Sequence, residues 1–154
     1  MVTPWQKPPE GIIKVNWDAA VDGGRKMIGM GAIMRDSDGK VMATMCDTMI
    51  LIQDPVLAKA LAAIRAIKLC LSLGIRKIIL EGDSLQVVHA LQASNGGQFV
   101  IGPIVEDARH LCRQFSDFEV KHVLRGANGE AHRLAKLALS QEGYTIWRDN
   151  FPFS

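Results

Sequence analysis

The stretch IIKVNWDAAV, residues 12–21, sets the first element of the fold. Its apolar and polar side chains alternate and several are β-branched, the pattern of a strand with two different faces. Asp22-Gly23-Gly24 follows with residues that tolerate positive φ, so the chain turns there. A second strand is predicted from about Met27 to Met34, and Asp38-Gly39 within RDSDGK is a hairpin signal. The third strand, VMATMCDTMI at 41–50, completes an antiparallel meander.

At Asp54-Pro55 the period changes to helical, with an N-cap acceptor followed by proline at the first helical position. The helix VLAKALAAIRAIKLCLSLG runs to Gly74, a C-terminal stop. RKIILEGD, 76–83, is an apolar run of strand length. A short helix over Ser84–Ala93, a loop at SNGGQF, a helix over Gly102–Phe115 and a strand in DFEVKHVLR come next. The last helix is expected from Asn128 to Glu142, and the aromatic tail YTIWRDNFPFS is expected to be irregular. Before Ile12, three prolines and a glycine read as an extended lead-in. The division is a lead-in over 1–11, a domain over 12–142 and a tail over 143–154. The order βββαβααβα implies an α/β fold with a mixed five-stranded sheet, three antiparallel strands then parallel ones, flanked by helices.

Composition excludes several classes. The 154 residues are 48% hydrophobic and 22% charged, with a formal net charge of +2, too balanced for a disordered chain. No apolar run approaches the roughly 18 residues of a membrane span, and no signal-like leader is expected. Cys46, Cys70 and Cys112 are odd in number and lack CxxC spacing, which suggests reduced thiols in the cytoplasm or nucleus. The near-neutral total neither demands nor excludes nucleic acid.

Two carboxylates stand out. Asp18 interrupts an apolar strand, where a charge is costly unless paired or metal-bound. Asp83 closes the fourth strand. On neighbouring strands the two would form a divalent-cation site. Asp83 has an equally good local role as the cap of the helix beginning at Ser84.

Five blocks in order, WQKPPEGIIKVNWDAA, GMGAIMRDSDGKV, AKALAAIRA, IILEGDS and HVLRGANGEAHRLAKLA, resemble the ribonuclease H-like domain of plants. This is the reverse-transcriptase-like type of non-LTR retrotransposons. The resemblance spans Trp5 to about Trp147 and implies a nuclease that cuts the RNA strand of an RNA–DNA hybrid with two Mg2+ or Mn2+ ions. It implies metal-binding roles for Asp18 and Asp83, a glutamate in the first long helix, and an aspartate near the start of the last helix. Here those last two positions hold Lys59 and His132. Two-metal catalysis is therefore expected to be impaired or absent. Lys59 either pairs with Asp18 and Asp83 in place of a metal or snorkels outward and touches neither.

Other candidates are weaker. Glu81 shares a strand face with Asp83 and offers a substitute metal ligand, although a solvated strand-end glutamate is the commoner case. Asn128 is expected to cap the last helix, with nucleic-acid contact as the alternative. His89, His110 and His122 lack metal spacing. Trp5 and Trp17 are expected to pack on the sheet rather than stack on bases. Lys and Arg outnumber Asp and Glu by 11 to 7 through Lys77 and trail them by 7 to 9 after it. Arg125, Arg133 and Lys136 supply a second small basic patch. SNGGQFVIGP carries no basic residue, so affinity for a hybrid or other nucleic acid is expected to be modest and salt-dependent. Three functions remain open: a degenerate domain binding nucleic acid or a protein, an active hybrid ribonuclease with rearranged metal ligation, or a protein-interaction domain using Trp147, Phe151 and Phe153. None calls for a membrane.

Overall fold

The structure, a computed structural model, describes residues 4–50, 54–92, 102–141, 143–149 and 152. Strands β1 (Ile13–Asp22), β2 (Met27–Arg35) and β3 (Val41–Ile50) form the expected meander. Helix α1 (Pro55–Ser72) follows, then β4 (Lys77–Gly82), α2 (Leu85–Gln92), α3 (Gly102–Cys112) and β5 (Asp117–His122). A 3-10 turn at Arg125–Ala127 leads into α4 (Gly129–Ser140), and β6 (Thr145–Arg148) is the last element among the described residues. The sheet order is β5-β4-β1-β2-β3-β6, with β1, β4 and β5 parallel to one another.

Local signals account for most boundaries. Asp54 caps α1, its side chain accepting from the backbone N–H groups of Val56 and Leu57. Gly74 sits at φ +76° just beyond the helix, a conformation that suits glycine. The sheet has six strands rather than five, because the tail contributes β6 instead of staying irregular. Ala43–Cys46 of β3 pairs with Thr145–Arg148, and Trp147 packs against a small core under α4. The loop at SNGGQF and the aromatic residues Phe151 and Phe153 lie outside the described residues.

Alternation on β1 divides the two cores. Val15 and Trp17 face the larger one with Met30, Met34, Ile67 and Leu80. Opposite, α4 lies close to β2 at Gly31, where a Cβ would stand 2.5 Å from the Ala135 backbone nitrogen. That contact explains the alanines of the helix, since Ala131, Ala135 and Ala138 are fully buried. Close seating of α4 brings its first turn to the middle of β1. Among the described residues, no helix is long and apolar enough to cross a membrane.

Candidate functional site

Parallel pairing of β1 with β4 places Asn16 opposite Glu81. Continuing that register sets Asp18 beside Asp83 at the C-terminal end of β4. Gly82, the residue before Asp83, has no room for a side chain: a Cβ there would stand 2.6 Å from the Trp17 indole. Both carboxylates are buried, and each is held by cationic or ring nitrogens from other elements.

Lys59 reaches inward from α1. Its Nζ donates to Asp83 Oδ1 at 3.0 Å and lies 3.5 Å from Asp18 Oδ1. Asp18 Oδ1 accepts no hydrogen bond, the kind of buried lone pair a cation takes, and the Lys59 ammonium stands beside it. His132 Nδ1, on α4, is 2.9 Å from Asp18 Oδ2. Arg125, on the 3-10 turn, brings Nε within 3.5 Å of Asp83 Oδ2 and Nη1 within 3.3 Å of His132 Nε2. A neutral imidazole satisfies both contacts if Nδ1–H donates to Asp18 and Nε2 accepts from Arg125. Asp18, His132, Arg125, Asp83 and Lys59 thus form a closed ring of contacts.

Beside it lies a second, buried polar network. Asn16 Nδ2 donates to Glu81 Oε2 at 2.9 Å and to Asn128 Oδ1 at 3.0 Å. Asn128 Nδ2 donates to the Trp17 carbonyl at 2.9 Å, so the turn before α4 is tied to the backbone of β1. Lys14 pairs with Glu81 Oε1 at 3.3 Å. Trp5 donates to Asn16 Oδ1 at 3.0 Å, and the Arg35 guanidinium lies 4.0 Å from its ring centroid. Burial lowers the Arg35 pKa from its ordinary value, opposed by the nearby Glu130 and Glu81 charges.

Several expectations change at this level. Glu81 is not a solvated strand-end residue but a buried one whose carboxylate serves Lys14 and Asn16. Asn128 occupies the N-cap position of α4 but makes no side-chain capping bond, because its amide is committed to Asn16 and Trp17. Trp17 packs in the core, as expected, and Trp5 docks the lead-in onto β1. Arg133 bonds Glu130 on its own helix, and Lys136 is exposed further along it. Lys14 and Asn16 escaped the sequence reading. Their signal was present: with Asp18 they put three polar side chains at period two on one strand face.

The donor set does not suit a pair of divalent ions. The two carboxylates share their oxygens with an ammonium, a guanidinium and an imidazole, and both ring nitrogens of that imidazole already face partners. Among the described residues, no group of three His, Cys, Asp or Glu side chains is arranged to hold a metal ion.

The profile of the reverse transcriptase-like family matches residues 16–138. No curated protein matches the chain. Among solved structures, the RNase H1 of the halophilic archaeon Halobacterium salinarum is 27% identical, covering 84% of this chain and 98% of that one, with a TM-score of 0.73. The N-terminal RNase H domain of a Mycobacterium tuberculosis protein, solved as a maltose-binding-protein fusion, superposes with a TM-score of 0.75. It is 21% identical and covers 84% of this chain and 94% of that one. LC11-RNase H1 in complex with an RNA/DNA hybrid gives a TM-score of 0.73 at 17% identity, over 84% of this chain and 97% of that one.

Proposed function

The chain belongs to the reverse transcriptase-like family and has the RNase H fold, and from that premise we propose that it binds nucleic acid without metal-dependent hydrolysis. The carrying observation is the Lys59 ammonium seated between Asp18 and Asp83. The resemblance implies a glutamate at that position and two divalent ions nearby. At an effective dielectric near 20, an ammonium repels a divalent ion about 4 Å away by roughly 8 kcal/mol, an upper bound that the lost glutamate attraction makes worse. Lys59 and His132 together replace two negative charges that a pair of Mg2+ or Mn2+ ions needs.

An RNA–DNA hybrid is the proposed partner, since a neighbour of the same fold is complexed with one. Modest affinity goes with the near-neutral charge. Within the division into a lead-in over 1–11, a domain over 12–142 and a tail over 143–154, the described Trp5 and β6 are proposed as the points where lead-in and tail meet the domain. A cytoplasmic or nuclear setting goes with three buried, unpaired thiols.

Cleavage of an end-labelled hybrid in Mg2+ and in Mn2+ tests the reading. The native chain is expected to bind without cutting, and Lys59→Glu combined with His132→Asp to gain cutting. Native cleavage that disappears in Asp18→Asn would establish the active alternative instead.

A further inference from the structure

We propose that Lys59 and Arg125 hold a backbone phosphodiester directly, with His132 bracing Arg125 against Asp18, so that nucleic acid docks at this site without any divalent ion. The inference rests on the nucleic-acid reading above and names the chemistry by which the site meets its partner. Its basis is layering. The Asp18 and Asp83 side chains are 0% and 7% exposed, whereas those of Lys59, His132 and Arg125 are 19%, 24% and 61% exposed. The carboxylates form the floor and the nitrogen groups the rim, so an approaching phosphate meets the Lys59 and Arg125 donors before the carboxylates.

Charge points the same way. With His132 neutral, the five groups are formally uncharged as a set; carboxylates at positions 59 and 132 would make it −3. An anionic backbone can approach an uncharged set without bridging ions, whereas a −3 set repels it. Donors are also left over. Arg125 uses Nε and Nη1 toward Asp83 and His132, while Nη2 has no partner among the described residues. A guanidinium suits a phosphate because it can donate two parallel bonds. The turn that carries Arg125 is anchored to β1 through Asn128, so the donor is positioned before the ligand arrives. Lys136 lies four residues after His132 on α4 and continues the row on the same helix face.

Fluorescence anisotropy with a labelled RNA–DNA hybrid, using the full chain at low salt, tests this. Binding is expected to be as tight in EDTA as in Mg2+. Arg125→Ala is expected to weaken it about tenfold and to reduce the salt dependence by about one counterion. Arg148→Ala, on the far edge strand, should leave both unchanged. Arg125 is exposed, so its truncation does not threaten the fold. Binding that disappears in EDTA, or an Arg125→Ala affinity and salt slope equal to native, overturns the inference while leaving nucleic-acid binding intact. Inorganic phosphate that saturates the site by calorimetry without the hybrid displacing it assigns the site to a free anion, which also overturns it. No binding of hybrid, RNA or DNA at low salt sinks both this inference and the function beneath it.

Discussion

Replacing Lys59 with methionine keeps most of the side-chain stem and removes the charge between two buried carboxylates. At an effective dielectric near 20, unit charges at 3.0 and 3.5 Å attract by about 5.5 and 4.7 kcal/mol, before desolvation is counted. Desolvation offsets much of that gross attraction, and breaking a buried pair typically costs about 3–5 kcal/mol. A domain of this length moves its Tm by about 2–4 °C per kcal/mol, so Lys59→Met should melt roughly 6–20 °C below native in EDTA. Removing the ammonium also removes the competitor for a divalent ion. Mg2+ at a hundredfold excess over its Kd would return about 2.7 kcal/mol to the variant. Native protein should show no such gain. Calorimetric melts with EDTA and with Mg2+ at matched ionic strength measure both effects. A variant as stable as native in EDTA, or a native Tm that climbs with Mg2+ as the variant's does, refutes the role given to Lys59.

Three further outcomes follow from burial and packing. Asn128→Ala removes the side-chain partner of the Trp17 carbonyl and of one Asn16 amide N–H, at about 1–3 kcal/mol for each group left unsatisfied, and should lower the urea midpoint without changing the slope; an unchanged midpoint contradicts the network. Gly31→Ala should cost about 3 kcal/mol by driving α4 off β2, whereas Gly23→Ala, with nothing within 4 Å, should be close to neutral; equal effects would mean that α4 is not tightly seated. Burial pushes the Cys46, Cys70 and Cys112 thiols up to about 12. The folded state therefore holds these protons more tightly than the unfolded chain. That contribution is complete below an unfolded thiol pKa of about 8.5 and is lost as pH rises from there toward 12. Denaturation series at rising pH should show the loss, less steeply in Cys70→Ala, and thiol reagents should react at pH 8 only as the protein unfolds.

The meander, α1 and β4 were legible because their information is local. β1 alternates from Ile13 to Ala19, and Asp54-Pro55 caps and starts α1 without outside help. β6 was not legible, since Thr145–Arg148 is four residues long and becomes a strand only by pairing with β3, about a hundred positions earlier. The same division runs through the site. Asp18 and Asp83 are conspicuous by type and place. The inward course of Lys59 was one of two open possibilities, because α1 does not itself decide where a long side chain ends. Glu81 was misread since its burial depends on Lys14 and Asn16 from another strand. Asn128 was misread because a preference for capping cannot compete with two buried bonds to distant residues.

The contact between Trp17 and Gly82 has an optical consequence. The indole stands where a side chain at 82 would be, one residue before Asp83, and it is almost wholly shielded from water. Trp5 lies against a guanidinium and Trp147 on the flank of the smaller core, so the three indoles occupy three different surroundings. The shielded one should emit at the shortest wavelength. Any displacement of the β4 end that carries Asp83 must press on that ring or withdraw from it. The protein therefore carries an intrinsic chromophore at its own site, and occupancy there can be followed by emission without attaching a dye.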